Sequence, residues 1–299
     1  MLTVAQGGRG RTGMTQSAED LAAEDLAAED LAAEDLAANG AAVVRGFLSP
    51  EDAANLRRTV DEIYAFLGSC EHISNRLLGF HFNLWHGVWL RPLPAFLRKA
   101  RPDLQQRYEQ SLSAVEAQVG RTFGPGWRFF PKRSYFRRHF GLVRKVPWHI
   151  DADAASIYRV AGAAINVWMP LDPVGTDLPS LDFVPRSHAV MRNVPLLAGK
   201  DKYRDDAFVD TIGVPSTPQL DVGDALIFDQ FVLHRTQNAG SADAVRTACE
   251  FRFVRHAAPT LQGLSGWLRY SLNVLFSPDG FLASRAKGLL GLKRRDPSV

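Results

Sequence analysis

Two segments of this chain carry residues that could close on one metal ion. The first, PWHIDADAASI, holds His149 and Asp151 with one residue between them. The second, LDVGDALIFDQFVLHRTQNAG, holds His234 near its end. Two imidazoles and one carboxylate make the facial triad of non-haem Fe(II) oxygenases, which leaves coordination positions open for substrate and oxygen. Residues i and i+2 of a strand point to one face, so His149 and Asp151 could reach one ion from one strand end. His234 closes a run opened by the turn Asp221-Val-Gly223-Asp224, so a strand terminus is expected there too. A His-x-Asp pair arises readily by chance in a chain with eight histidines, so the surrounding sequence has to confirm it.

The elements that would position these residues are legible in outline. AAVVRGFL (41–48) reads as a strand. SPEDAANLRRTVDEIYAFL then reads as a helix, with Ser49 as N-cap, Pro50 at N1 and acids in the first turn. Leu56, Val60, Ile63 and Leu67 fall on one face of it. Residues 102–119 form a second helical pattern through Leu104, Tyr108, Leu112 and Val115. From about residue 126 short apolar or alternating runs follow one another, broken by Gly, Pro and Asp: WRFF, SYFRRHF, AAINVWMPL, LDFVP, DALIFDQFVL and TACEFRFV. Many short strands at this spacing argue for a sandwich or barrel. The expected fold is mainly β with flanking α-helices, of which the jelly roll is one solution. The last 40 residues turn helical again and end basic and amphipathic, which suits a surface helix.

Residues 17–39 are an acidic AEDLA repeat whose leucines recur every five residues. That period matches no helical face, so the expected tail (1–39) is solvated, disordered or partly helical, and order begins near Asn39-Gly40. A docking helix for a partner (17–38) is the sharper alternative. The tail hides a charge asymmetry. The chain carries +3 overall, but residues 1–40 carry −6 and residues 41–299 carry +9, a balance that favours anionic ligands. Two cysteines make no disulfide framework and point to a reducing compartment. No run reaches the length of a spanning helix, and MLTVAQGGRGRTG has no apolar core for a secretory signal. A cytoplasmic protein without stable membrane insertion is expected. Zinc-finger and RNP-type patterns are absent, so no nucleic-acid partner is expected.

The segments GAAVVRGFLSPEDAANLR, WHIDA, LPSLDFVPRSH, GDALIFDQFVLHRTQ and VRTACEFRF together resemble the phytanoyl-CoA dioxygenase-like family of Fe(II)/2-oxoglutarate oxygenases, from about Gly40 to Val254. The resemblance implies a double-stranded β-helix, a cupin-like jelly-roll variant. With the elements read above, one dioxygenase domain over 40–299 is expected: a helical part (40–120), a jelly-roll core (about 126–256) and a C-terminal helical extension (257–299). The resemblance also implies Fe(II) held by His149, Asp151 and His234, with 2-oxoglutarate and O2 as co-substrates. The far carboxylate of 2-oxoglutarate needs a buried cation, for which an arginine fork is suited. Arg246, twelve residues after His234, stands close to the family's position for it, and Thr236 matches a hydroxyl that helps bind the same carboxylate. Arg252 shares the strand parity of Arg246 and is the alternative anchor. The implied reaction converts 2-oxoglutarate to succinate and CO2 while hydroxylating an unactivated C–H bond of a small organic substrate, expected to be anionic from the basic balance of residues 41–299. Desaturation, epimerisation and ring formation use the same chemistry. Asp151 argues against halogenation, because related halogenases have a small residue there.

Other residues invite both a functional and a plain reading. Asn166 has the parity of Trp168 and could face the cofactor. Trp148, Tyr158 and Trp168 could line a pocket or simply fill the core. Residues 121–147 hold eight Lys or Arg and no acid. They could be a basic rim for an anionic substrate, with Arg137 or Arg138 at its front, or a solvated edge strand. His188 in FVPRSH reads as structural, since a fourth metal ligand would fill a position the reaction needs. The aromatic segment 72–89 could be part of a lid. Dinucleotide, P-loop and zincin motifs are absent. The rival of another class is a catalytically silent jelly roll that binds a metal or small ligand.

Overall fold

A computed structural model describes residues 18–69, 82–83, 87–90, 93–131, 134–140, 146–154, 162–193, 206–238 and 245–256. In chain order the elements are α1 (Ala18–Asn39), β1 (Ala41–Val44), α2 (Pro50–Ser69), β2 (Phe82–Asn83), β3 (Gly87–Trp89), α3 (Leu93–Ala100), α4 (Pro102–Phe123), β4 (Trp127–Phe129) and β5 (Tyr135–Phe140). They continue with α5 (Asp151–Ala154), β6 (Gly162–Pro170), β7 (Leu181–Phe183), α6 (Ser187–Met191), α7 (Asp206–Ile212), β8 (Ala225–Asp229), β9 (His234–Thr236) and β10 (Val245–His256).

The strands form a large antiparallel sheet in the order β1-β8-β6-β10-β5-β3-β2, with β4 also on β10, and a small sheet of β7 and β9. This is the mainly antiparallel jelly-roll class expected. Strand alternation divides the chemistry of the large sheet. On β10, Cys249, Phe251 and Phe253 join the hydrophobic core shared with the helices. Arg246, Ala248, Glu250 and Arg252 take the other face by parity, together with their direct partners Asn166, Trp168, Tyr135 and Arg137. The helices therefore cover one face of the sheet, and polar groups gather on the other.

The helical cover follows from its sequence. Ser49 Oγ accepts the backbone N–H of Asp52 at 3.1 Å and donates to its carboxylate at 2.7 Å, closing the α2 N-terminus. Leu56, Val60, Ile63 and Leu67 of α2 and Leu104, Tyr108 and Val115 of α4 are buried against Phe136, Phe251 and Phe253. Each such side chain contributes about 1.5–3 kcal/mol by leaving water. The helices and the sheet thus share one core. No described helix is long and apolar enough to cross a membrane.

The acidic repeat is helical, one of the states expected of it, but its end docks on this chain's own core instead of staying solvated. Order begins well before Asn39: α1 is continuous from Ala18, and its last turns dock. Leu31 is 60% exposed, while Ala32 is buried and Leu36 packs on the core. A period of five makes no continuous stripe, but Ala32 and Leu36 form one i,i+4 pair, enough for a short contact. Glu29 adds a 3.9 Å ion pair with Arg121 of α4. The expected C-terminal extension lies outside the described residues, and the 72–89 segment is described only at 82–83 and 87–89, as the edge strand β2 and its neighbour β3.

Candidate metal centre

His149 and His234 stand directly opposite each other. His149 N–H donates to the His234 carbonyl at 2.9 Å, and His234 N–H returns a bond at 3.0 Å. Their rings lie 4.1 Å apart, and Phe228 packs 4.6 Å from the His234 ring. In both residues Nδ1 meets the carbonyl two residues back, Pro147 or Val232, at 2.9 Å. A carbonyl only accepts, so Nδ1 carries the proton and Nε2 offers its lone pair. Burial pushes the His234 imidazole down to about 3, so it is neutral at physiological pH, the form that binds metals.

Asp151 reaches the histidines by a different route from the one expected. It does not continue a strand after His149 but opens the short helical turn α5, pinned where Ala152 N–H donates to the Gln230 carbonyl. Its Oδ1 still lies 3.9 Å from His149 Nε2, and its Oδ2 lies 3.9 Å from His234 Nε2. One ligand atom from each residue falls within 4.8 Å of the other two. Burial alone would raise the Asp151 pKa, but the Arg252 charge and its hydrogen bond outweigh it and hold the carboxyl well below its usual range. An ionised carboxylate and two imidazole Nε2 atoms suit a divalent ion such as Fe(II).

Both oxygens of Asp151 have donors. Arg252 Nη2 bonds Oδ1 at 2.8 Å, and Asn166 Nδ2 bonds Oδ2. Asn166 therefore faces the centre, as its parity suggested. Arg252, the alternative anchor for a co-substrate, is committed to Asp151 instead.

Arg246 is different. It is 3% exposed, its Nη1 donates to the carbonyls of Pro179 (2.6 Å) and Ser180 (3.3 Å), and its guanidinium lies over the Trp168 ring at 5.1 Å. Among the described residues no carboxylate comes within ion-pair distance of it. Burial pulls its pKa down to about 10, which leaves it charged at neutral pH. Arg246 Nε, Trp168 Nε1 and Ser180 Oγ are buried without hydrogen-bond partners. A buried cation among unmet donors suits a ligand carboxylate. Thr236 is buried opposite Leu181, the neighbour of Ser180, and its Oγ1 accepts the Val146 N–H at 3.3 Å. Ser180 escaped the sequence reading. It precedes a three-residue strand, and the only signal was its place in LPSLDF.

The remaining candidates separate. Arg137 lies on the inner face, 2.5 Å from Glu250 and over the Tyr135 ring at 4.8 Å. Arg138, one residue on, points to the helix side, where it pairs with Asp61 and covers Tyr64 at 4.4 Å. The expected basic front is therefore half structural. Trp148 turns away from the centre, because its parity is opposite to that of His149. It is 3% exposed within a separate apolar cluster, its indole donates to Asp206 at 2.8 Å, and Arg235 caps its ring. Tyr158 lies outside the described residues. His188 is not in the metal-binding group and packs against Gly40.

The phytanoyl-CoA dioxygenase family model matches residues 36–248, most of the chain. No curated protein matches it in sequence. Among solved structures, EvdMO1 aligns at a TM-score of 0.51 and 16% identity, over 77% of this chain and 50% of that one. EctD from S. alaskensis, solved with 2-oxoglutarate and 5-hydroxyectoine, aligns at 0.50 and 15%, over 74% of each chain. SnoN, a non-haem alpha-ketoglutarate-dependent epimerase from nogalamycin biosynthesis, aligns at 0.49 and 19%, over 76% of this chain and 82% of that one. At these identities the first two likenesses are of fold. The family match covers both histidines, Asp151 and Arg246, and by it the chain belongs to the phytanoyl-CoA dioxygenase family and is a 2-oxoglutarate-dependent oxygenase.

Proposed function

We propose that His149, Asp151 and His234 hold Fe(II), that Arg246 anchors the far carboxylate of 2-oxoglutarate, and that the enzyme hydroxylates a small, anionic organic substrate. The observation that carries this reading is the pairing of a ligand triad, in which Asp151 and His234 are buried and His149 is half-buried, with a second buried cation, Arg246, that no carboxylate of the described residues meets. When bound, iron with 2-oxoglutarate and O2 supplies the oxidising power for a C–H bond, and 2-oxoglutarate leaves as succinate and CO2.

The chain's own residues do the rest. Pro147 and Val232 carbonyls fix the imidazole tautomers. Phe228 packs against His234 and keeps water from that side. Arg246 supplies a charge-assisted fork, with Trp168, Ser180 and Thr236 as neighbouring donors. The basic surplus of residues 41–299, and Arg137 on the inner face, support an anionic substrate. We also infer that residues 40–299 form one dioxygenase domain, with α1 an accessory helix docked on it.

The test is succinate formation from 2-oxoglutarate and Fe(II) without a prime substrate. Wild type should form succinate, chelator should stop it and added Fe(II) restore it, and His149→Ala should form none. No succinate, together with no calorimetric binding of 2-oxoglutarate to the iron-loaded chain, would favour a silent metal-binding jelly roll. Once a substrate is found, product mass separates the outcomes. Hydroxylation adds one oxygen, desaturation or ring formation removes two hydrogens, and epimerisation changes nothing.

A further inference from the structure

Asp151 is gripped from two strands at once. Arg252 and Asn166 stand directly opposite in the β10–β6 register, and their donors reach one carboxylate oxygen each, Arg252 at 2.8 Å. Arg252 is itself well seated. Its backbone N–H donates to Ser134 Oγ at 2.9 Å, its guanidinium lies 5.6 Å over the Tyr135 ring, and its Nη1 is 3.7 Å from Glu250. Glu250 is in turn held at 2.5 Å by Arg137. Meanwhile each Asp151 oxygen faces a different imidazole, at 3.9 Å.

A carboxylate can bind an ion through one oxygen or through both. Chelation by Asp151 would make the ion compete with a donor at both oxygens, one of those donors a full charge. With the Asp151 side chain 6% exposed, water has little room to replace those bonds. Binding through one oxygen leaves the other on its donor. The two histidines and one carboxylate oxygen then occupy three positions, and a co-substrate that chelates through two atoms leaves one free in a six-coordinate ion.

We infer that Arg252 and Asn166 are positioning residues of the metal centre: between them they hold the Asp151 carboxylate so that one oxygen binds the ion while the other stays on its donor, which limits that carboxylate to a single bond and keeps a coordination position open. The inference rests on His149, Asp151 and His234 being the ligands. It gives Arg252 a task separate from that of Arg246, and it gives the Arg137–Glu250 pair a reason to sit beside the site.

The test uses the full chain loaded with Mn(II) and 2-oxoglutarate in ¹⁷O-enriched water, where broadening of the electron paramagnetic resonance lines reports a coordinated water. Wild type should broaden. Arg252→Met and Asn166→Ala, tested singly, should lose the broadening and bind Mn(II) about 10–100-fold more weakly. Arg252→Lys, which keeps a charged donor, should restore much of the broadening, and it decides the case if the Met variant does not fold. Wild-type broadening in the folded Met and Ala variants overturns the positioning role alone, provided that His149→Ala loses the ion. A His149→Ala chain that binds Mn(II) like wild type overturns the ligand set itself, and the inference with it.

Discussion

Arg246 and Arg252 project from the same face of β10 six residues apart, yet only Arg252 meets a carboxylate, Asp151 at 2.8 Å. Arg246 is met by two backbone carbonyls and an indole ring. Two buried guanidiniums on one strand therefore face different needs, one already answered within the chain and one open to a ligand. Arg246→Met should weaken 2-oxoglutarate binding by about 10–100-fold, the worth of a charge-assisted pair of about 1.5–3 kcal/mol. Mn(II) affinity without 2-oxoglutarate should stay within about twofold of wild type, because Arg246 touches none of the three ligands. Calorimetry with metal alone and then with 2-oxoglutarate checks both halves.

Trp148 adjoins His149 in sequence but belongs to the packing behind it. Its indole N–H donates to Asp206, which is 74% exposed as a side chain and can turn to water when the bond is lost. Trp148→Phe should thus cost only about 1–2 kcal/mol, from one hydrogen bond and some lost volume. Urea denaturation should show that shift. The rate of succinate formation per folded molecule should not change.

The grouping of His149, Asp151 and His234 was legible because the His-x-Asp spacing and the place of His234 at a strand end are local features. The α2 and α4 helices were legible because caps and 3.6-residue periodicity are local too. What stayed hidden depends on register. Parity alone separates Arg137 from Arg138, but which of them faces inward is decided only by the pairing of Ala248 with Arg137 and of Thr247 with Arg138. The same holds for Arg252, whose partner Asp151 lies 101 residues away. Asp151 itself sits on a helical turn that a His-x-Asp spacing cannot reveal. The docking of α1 was hidden because one i,i+4 pair is no more than chance within a repeat of five.

Gly40 joins α1 to β1 at φ +75°, and a Cβ there would stand 2.3 Å from His188 Nδ1 and 2.9 Å from Val232 Cγ2. Left-handed backbone alone costs an alanine about 1–2 kcal/mol. Gly40→Ala should therefore destabilise by about 2 kcal/mol or more, read from the urea midpoint. The double variant Gly40→Ala/His188→Ala should recover the part of the steric cost due to His188 but not the Val232 or backbone shares, so the two changes should be non-additive.

His188 gives the fold a dependence on acid. Burial lowers its pKa; Asp229 pulls the other way and Arg192 adds to the lowering. An unfolded histidine takes up a proton as pH falls through about 6.5, while folded His188 resists until lower pH. The unfolded state then binds more protons, so the contribution of His188 is full above about pH 6.5 and shrinks as pH falls, levelling off once folded His188 also protonates. His188→Gln removes this share of the slope and should flatten the fall in urea midpoint between pH 7.5 and pH 5. An unchanged slope would mean that His188 protonates as readily in the fold as in the open chain, and that its contact with Gly40 does not shield it from water.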